Sequence, residues 1–446
     1  MMTILTVAIV AVFIVGYLLI ALESVTEVNK AAVALLMCVV CWSLYMIDPG
    51  QYVVAAFPGL AGDMAAITGH VGEALKAHLG DAGETLFFLM GAMTIVEIVD
   101  SNGGFNFVRD ALKTRSKRKL LWRIAAMTFF LSAILDNLTT SIVMVMVLRK
   151  LIQDSRERMI YAAMVIVAAN SGGAFSPIGD VTTIMLWIRG MITTEGVISE
   201  IFIPSLVSMV VPAFILQFSL HGKLDKAQNL QVGEVSQLTK NQRRAVFFLG
   251  VGGLVFVPIF RYLTGLPPFM GILLVLGLLW TATEIFYRKT DEDDTMARRV
   301  SELLRRIDMS TMLFFLGILM AVACLSEVGV LTAMGQWLDG FSGGNHYLVT
   351  GIIGVLSSIV DNVPLVAGCM GMYPVAPVGD MAVDGIFWQL LAYCAGVGGS
   401  LLIIGSAAGV VVMGLEKITF GWYLKRMSWI VLIGYLAGMA SYWLIR

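Results

Sequence analysis

The sequence LSAILDNLTT at residues 131–140 places Asp and Asn in the middle of an apolar stretch, and LSSIVDNVPL at residues 356–365 does the same. The order Ser-x-x-x-Asp-Asn begins at Ser132 in the first stretch and at Ser357 in the second. Two further pairs are separated by nearly the same offset along the chain: LFFLMGAMTI from Leu86 with LFFLGILMAV from Leu313, and GGAFSPIGD from Gly172 with GGSLLIIGS from Gly398. Three matches at nearly the same spacing predict an internal repeat.

The composition places the chain in a membrane. Of its 446 residues, 58% are hydrophobic and only 14% are charged, whereas a soluble domain carries about 25% charged residues. Lys and Arg number 30 against 31 Asp and Glu, so no basic excess suggests nucleic acid. Runs long enough to cross about 30 Å of hydrocarbon lie at 3–21, 30–47, 85–101, 159–188, 199–219, 245–263, 269–287, 309–326, 386–414 and 422–443. The sequence therefore predicts ten spanning helices.

Positive charges flank both ends of the interrupted stretch 121–148. Cytoplasmic loops collect Lys and Arg, so both ends should lie in the cytoplasm. A segment with both ends on one side must enter the membrane and turn back, which puts Asp136 and Asn137 at the tip of a re-entrant hairpin. Nonhelical backbone at that depth is tolerated only where it lines a cavity or is buried in protein. The flanking residues are Arg109, Lys113, Arg115, Lys117, Arg118, Lys119 and Arg123 on one side and Arg149, Lys150, Arg156 and Arg158 on the other.

The second interrupted stretch, 346–375, shows the opposite pattern. No Lys or Arg occurs between Arg306 and Lys417, so this hairpin should open to the outside. The predicted outer loop 48–84 agrees with this rule, because Lys76 is its only Lys or Arg. Ten spans and two hairpins place both termini outside.

Each half of the chain then contains five spans and one hairpin. We expect a first repeat at 1–220, a cytoplasmic linker at 221–244 and a second repeat at 245–446. Because five is odd, the second repeat must be inverted relative to the first. Inverted repeats with broken helices at the midplane are typical of secondary transporters. A receptor or structural protein built from a duplicated bundle would not need Asp-Asn at two hairpin tips.

Four polar clusters mark the predicted tips and breaks. They offer carboxylate, hydroxyl, amide and freed carbonyl oxygens, which are the ligands of a small hard cation. The four histidines fall in predicted loops and no Lys or Arg lies at the predicted midplane, so an anion would depend on helix N-termini alone. The candidate ligands are Ser132, Asp136, Asn137, Thr139, Asn170, Asp180, Thr182, Thr183, Ser357, Asp361, Asn362, Ser400 and Ser406.

Three aspartates among these candidates indicate how transport would be coupled. Burial disfavours the charged form of a carboxylate, which can therefore take up a proton when its cation leaves. Competition between Na⁺ and H⁺ for Asp136, Asp180 and Asp361 would produce antiport. The alternative is that each Asp caps the N-terminus of a half-helix, and capping can coexist with ion binding. No resident cofactor is expected; the solutes are Na⁺ or Li⁺ and H⁺.

The four motifs resemble the NhaD-type sodium/proton antiporters of the ion transporter superfamily over nearly the whole chain. They are Asp136-Asn137-Leu138-Thr139, NSGGAFSPIGDVTT from Asn170, Asp361-Asn362-Val363-Pro364 and GGSLLIIGSAAG from Gly398. The resemblance implies a bacterial inner-membrane antiporter that forms a homodimer and moves its hairpin domain like an elevator. It also implies functional roles at all of the candidate positions above except Thr139. In related dicarboxylate transporters the hairpin tips carry Ser-Asn-Thr, so the Asp at these places adds charge.

Other functions are open to a chain of this kind. The nearest alternatives are a sodium-coupled symporter of a small organic acid and an oxyanion or arsenite exporter, because a backbone nest can also bind an anion. A passive channel would share the polar midplane without needing hairpins from both sides. An enzyme is not expected, since no nucleophile accompanies a base or metal triad.

Overall fold

The computed structural model describes residues 3–21, 23–104, 111–112, 114–220, 222, 238–288, 300–359 and 361–446. These residues form helices and connecting turns without a β-strand, which confirms the prediction of an all-α polytopic protein. Most of the predicted linker 221–244, namely 221 and 223–237, lies outside the described residues. The tip residue Val360 also lies outside them.

The helices have the following bounds, numbered in chain order: α1 Ile4–Ala21, α2 Glu23–Thr26, α3 Lys30–Tyr45, α4 Gly50–Ala56, α5 Met64–Ser101, α6 Lys117–Leu135, α7 Asn137–Leu151, α8 Ser155–Ala174, α9 Val181–Ile188, α10 Thr194–Leu216, α11 Lys240–Thr264, α12 Pro268–Tyr287, α13 Val300–Leu303, α14 Met309–Glu327, α15 Val330–Ser342, α16 His346–Leu356, α17 Asn362–Met372, α18 Ile386–Gly398, α19 Ala407–Glu416, α20 Phe420–Tyr423 and α21 Trp429–Ile445. A π-helical segment, Leu424–Ser428, joins α20 to α21.

Among the described residues, six helical segments are long and apolar enough to cross a membrane: Met64–Ser101, Thr194–Leu216, Lys240–Thr264, Pro268–Tyr287, Met309–Glu327 and Phe420–Ile445. The pair α3 and α4, bent by 76°, adds a seventh if it is one span. Two predicted spans, 159–188 and 386–414, are each broken into a pair of shorter helices, at the interruptions that their glycines predicted. The breaks follow from clustered Gly and Pro, which interrupt the helical hydrogen-bond ladder.

The predicted outer loop 48–84 differs from the structure, because α5 begins at Met64 and continues without a break to Ser101. Hydropathy identifies the part of a helix that lies in hydrocarbon, and it gives no signal for a helical extension into water. The extension is rich in Ala and also contains Leu, Glu and Lys, all strong helix formers.

The chain divides into two compact units. The first contains residues 1–87, 308–349 and 363–376, and the second contains 88–307, 350–362 and 377–446. In the first unit α3 packs closely on α14: the Trp42 indole N–H donates to the Met320 carbonyl at 2.8 Å. A Cβ at Gly317 would lie 2.6 Å from the Ala34 carbonyl carbon, so glycine permits this approach.

In the second unit, α6 and α7 run in opposite directions along α8. The Tyr161 hydroxyl, near the start of α8, donates to the Lys117 carbonyl at the start of α6 at 3.1 Å. The Ser132 hydroxyl, near the end of α6, donates to the Ala169 carbonyl near the end of α8 at 2.7 Å. The helix α7 then returns from Asn137 to the start of α8. The chain reverses at Asp136, the predicted hairpin tip.

Two glycines allow the broken helices to pack at the distance of backbone contact. A Cβ at Gly172 in α8 would lie 2.1 Å from the Phe129 carbonyl oxygen in α6. A Cβ at Gly398 in α18 would lie 2.1 Å from the Gly354 carbonyl oxygen in α16. No larger residue fits at either position without moving a backbone.

Candidate functional site

The Asn170 side chain, in α8, connects two chain breaks in the second unit. Its Oδ1 accepts a hydrogen bond from Asn137 Nδ2 at 3.1 Å, at the tip between α6 and α7. Its Nδ2 donates to Ser400 Oγ and to Ser406 Oγ, both at 2.9 Å, in the break between α18 and α19. All four side chains are buried. Residues from the two halves of the sequence therefore form one hydrogen-bonded group. We call this group, Asn137, Asn170, Ser400 and Ser406, the Asn170 junction.

Asp136 turns the chain at the first tip. It has a positive φ of 87°, a conformation that L-residues rarely adopt. Its Oδ1 accepts from the Thr139 backbone N–H and its Oδ2 from the Thr139 hydroxyl, both at 2.8 Å. Both carboxylate oxygens thus cap the N-terminus of α7, as the capping alternative predicted. Each oxygen keeps lone pairs for a further ligand.

Asp180 caps α9 in a different way. Its Oδ1 accepts from the Thr182 backbone N–H at 3.2 Å. Its Oδ2 has no hydrogen-bond partner in the described part of the chain, although Asp180 is only 1% exposed. The Thr182 hydroxyl lies beside the carboxylate, but no hydrogen bond of ordinary geometry joins the two. A buried carboxylate oxygen without a donor is costly unless a proton or a cation satisfies it.

Space beside this oxygen depends on Gly396. A Cβ at Gly396 would lie 3.1 Å from Asp180 Oδ2 and 3.1 Å from the Ala174 Cβ. Because Gly396 precedes Ser400 by one helical turn at the end of α18, the Asp180 carboxylate lies close to the Asn170 junction.

Three other predicted site residues donate their hydroxyls to backbone carbonyls. Ser132 donates to Ala169 at 2.7 Å and Ser357 donates to Ala395 at 2.8 Å. Thr183 donates to Ala174 at 3.4 Å. These hydroxyls join α6 to α8, the residue after α16 to α18, and α9 to α8, and each hydroxyl oxygen still has lone pairs with which it can accept. These hydrogen bonds give Ser132, Ser357 and Thr183 a structural role in holding the helices together.

The second tip contributes Asp361 and Asn362, between α16 and α17. Asn362 is buried and Asp361 is partly buried. Asp136 and Asp361 are both close enough to Asp180 for an electrostatic interaction. However, no group of three or more His, Cys, Asp or Glu side chains within the described ranges could hold a metal ion together.

Sequence reasoning missed a buried charge cluster around Glu416. Arg149 Nε donates to Glu416 Oε1 at 2.8 Å, and Arg158 Nε donates to Glu416 Oε2 at 2.6 Å. The Glu416 side chain is fully buried. A signal was present in the sequence, because Glu416 is the only acidic residue after Asp384 and it directly follows an apolar run.

The sequence is similar to known transporters over most of its length. A family model described as "CitMHS: Citrate transporter" matches residues 17–391. Sodium/proton antiporter 1 of Arabidopsis thaliana is 43% identical over 98% of this chain and 72% of its own length. Sodium/proton antiporter 2 of the same plant is 41% identical over 96% of this chain and 97% of its own length. The Na⁺/H⁺ antiporter NhaD of Alkalimonas amylolytica is 30% identical over 98% and 90%.

The chain belongs to the NhaD-type sodium/proton antiporter family. This membership confirms the resemblance of the four motifs. A member of this family is a multi-pass membrane transporter and not an enzyme, in agreement with the apolar helices described above.

Proposed function

We propose that the chain exchanges Na⁺, or Li⁺, for H⁺ across a membrane, with cation and protons competing for buried aspartates. The observation that carries this proposal is the Asp180 carboxylate, which is buried and has one oxygen without a donor among the described residues. Asp136 and Asp361 take part as neighbouring carboxylates. The names of the relatives, which are Na⁺/H⁺ antiporters from plants and bacteria, support the same chemistry.

The competition follows from electrostatics. A carboxylate without a counter-charge is unstable in a buried site, so either Na⁺ or H⁺ must neutralise it. Binding of one species therefore expels the other, and no separate proton path is needed. The remaining Na⁺ ligands come from hydroxyl and amide oxygens at the tips and breaks: Ser132, Asn137, Thr139, Asn170, Thr182, Thr183, Ser357, Asn362, Ser400 and Ser406.

We also propose that residues 1–220 and 245–446 are inverted repeats, each with five spans and a re-entrant hairpin, 121–148 and 346–375. Matched contacts at corresponding positions of the two halves support this architecture. Ser132 and Ser357 bind the carbonyls of Ala169 and Ala395. Gly172 and Gly398 both lie against a backbone. Asp180 and Ser406 both cap the second half of a broken helix.

The orientation in this proposal places both termini outside and the ends of α6 and α7 in the cytoplasm. The positive charges at those ends, Lys117, Arg149 and Arg158, support it. We place the protein in the bacterial inner membrane as a homodimer with an elevator-like movement. This placement rests on the bacterial relatives. Two other relatives come from a plant.

A sodium-coupled symporter of a small organic acid is the second candidate, favoured by the description of the family model as a citrate transporter. Its weakness is the charge of the site. The side chains that form the Asn170 junction are neutral, and the adjacent charged group is the Asp180 carboxylate. An organic acid would have to bind through helix N-termini alone.

The decisive experiment uses purified protein in liposomes loaded with a pH dye. Outside Na⁺ or Li⁺, with no organic solute present, should drive proton movement. Raising the proton concentration should raise the half-saturating Na⁺ concentration in proportion, because both species share one site. Proton movement that begins only after citrate or an oxyanion is added would replace this proposal with the symporter or exporter.

A further inference from the structure

Glu416 joins three helices at the end opposite to the Asn170 junction. It is the last residue of α19, and it binds Arg149 near the end of α7 and Arg158 near the start of α8. The Arg149 guanidinium also donates to the Leu415 carbonyl. Each Glu416 oxygen has its own arginine, so the buried charge is fully paired.

These three helices are therefore fastened at both of their ends. In α8, Asn170 lies about three helical turns after Arg158, which is about 18 Å along the axis. In α19, Ser406 precedes Glu416 by nearly as much, about 15 Å. Asn170 binds Ser406 at one end and Arg158 binds Glu416 at the other. The helix α7 follows the same plan, with Asn137 at the junction and Arg149 at the cluster.

A matching contact occurs near the other end of the broken-helix pairs. Asp384, just before α18, is separated from Arg158 by the same offset that separates Gly398 from Gly172. Its carboxylate accepts from the Thr193 backbone N–H and hydroxyl, both at 2.7 Å, after the end of α9. In both places the start of one broken helix pair binds the end of the other pair. The fastening is thus a feature of the fold at both ends.

We propose that Glu416 is a positioning residue for ion binding. By fixing the far ends of α7, α8 and α19, it sets the positions of Asn137, Asn170 and Ser406 at the junction. This inference rests on the proposed function, because it concerns the affinity of the same site for Na⁺. Glu416 itself does not touch the ion, since the whole length of α19 separates it from Ser406.

The geometry ranks the two arginines. The Arg158 side chain is 13% exposed, whereas the Arg149 side chain is 40% exposed. Removing Glu416 leaves Arg158 as a nearly buried charge without its acid, which forces the helix ends apart. Arg149 can turn toward water at little cost. Loss of Arg158 should therefore disturb the junction more than loss of Arg149.

The test compares Glu416→Gln, Arg158→Gln and Arg149→Gln in pH-dye liposomes. Glu157→Gln is the matched control, because its ion pair with Lys117 also joins α8 to a hairpin helix but is partly exposed. Glu416→Gln and Arg158→Gln should raise the half-saturating Na⁺ concentration about three- to tenfold while the maximal rate stays within about twofold, a change of roughly 0.7 to 1.4 kcal/mol. Arg149→Gln should have a smaller effect, and Glu157→Gln none.

Hydrogen exchange of the same variants separates this inference from the proposed function. Backbone amides of α19 should exchange faster in Glu416→Gln than in Glu157→Gln, whether or not Na⁺ drives protons. If Glu416→Gln does not fold, the double variant Glu416→Gln/Arg158→Gln removes both buried charges and Glu416→Asp keeps the acid. Unchanged Na⁺ dependence together with unchanged α19 exchange in Glu416→Gln, or in the double variant where the single one does not fold, would overturn the inference.

Discussion

Asp180 and Ser406 occupy the same place in two different parts of the chain, and they differ in one chemical property. Each is buried and caps the second half of a broken helix, α9 or α19. Ser406 accepts from the Gly409 backbone N–H and from Asn170, so its oxygen is satisfied. Asp180 accepts from Thr182 through one oxygen and holds the other without a donor in the described structure. Matched backbones thus present a neutral group at one break and a charged group at the other.

The residues that face the two caps differ in a complementary way. Asn170 lies in α8 and reaches Ser406, whereas the corresponding residue of the second half is Gly396 in α18. Because Gly396 has no side chain, it leaves room beside Asp180 Oδ2. Asn170 donates a hydrogen bond to the neutral cap, Ser406, whereas Gly396 leaves space beside the charged cap, Asp180. In the proposed function, this asymmetry assigns the ion-binding charge to Asp180 in the first half, with the Asn170 amide nearby.

The largest effect is expected from Asp180→Asn. Asparagine keeps an oxygen that can accept from Thr182, so α9 remains capped, but the site loses its negative charge. Na⁺ binding should weaken by at least about tenfold to a hundredfold, the equivalent of losing one charge-assisted contact. Na⁺-driven proton movement in pH-dye liposomes should fall to background.

Ser406→Ala is the matched control for that change. It removes the neutral cap, with a stability loss of about 1 kcal/mol, but it removes no charge. Exchange should persist with a modest loss of Na⁺ affinity. Background activity in both variants would show that the asymmetry of charge has no functional meaning. Full exchange in Asp180→Asn would exclude that carboxylate from ion binding.

The next effect concerns Asn170→Ala, which breaks the junction. Asn137, Ser400 and Ser406 would each lose a buried hydrogen bond worth about 1 kcal/mol. We expect a lower Tm in detergent and a weaker Na⁺ affinity. Asn102→Ala is the control, because Asn102 is also buried and hydrogen-bonded, to Ile98 and Tyr287, but belongs to a different contact. Its Tm should fall while its Na⁺ dependence stays normal.

Gly396→Ala should have a smaller effect. The added methyl group would lie 3.1 Å from Asp180 Oδ2, closer than ordinary contact, so either the carboxylate or α18 must shift by a few tenths of an ångström. We expect a few-fold rise in the half-saturating Na⁺ concentration without loss of folded protein. Gly414→Ala in α19 is the control, because a Cβ there meets nothing within 4 Å. Equal Na⁺ dependence in the two variants would show that the space beside Asp180 is not used.

Much of this fold can be predicted from sequence. The composition establishes the membrane class, and the Asp-Asn pairs correctly locate chain breaks between helices. Clustered glycines predict the interruptions near 172–180 and 396–406, because their loss of helical hydrogen bonding is a local property. The helical extension at 64–84 was missed because hydropathy measures membrane depth and not helicity.

The candidate site is less predictable, because its contacts join distant residues. The sequence suggests that Asn170 and Ser406 are both polar breaks, but the bond between them depends on tertiary packing. It also gives Asp136 and Asp180 the same chemical character. The structure separates them, since both oxygens of Asp136 are held by Thr139 and one oxygen of Asp180 is not. The two arginines that pair with Glu416 belong to the other half of the chain, so no local pattern could reveal them.

The smallest effects should come from Ser132→Ala and Ser357→Ala, which test the matched part of the two halves. Their hydroxyls bind the carbonyls of Ala169 and Ala395 at nearly equal distances, 2.7 and 2.8 Å. Each substitution should lower stability by about 1 kcal/mol, the net worth of one hydrogen bond, and lower Tm by the same few degrees. Equal shifts would support a common structural role in two repeats. If only one variant also loses Na⁺ affinity, that hydroxyl is an ion ligand as well as a fastener, and the asymmetry seen at Asp180 and Ser406 extends to the hairpins.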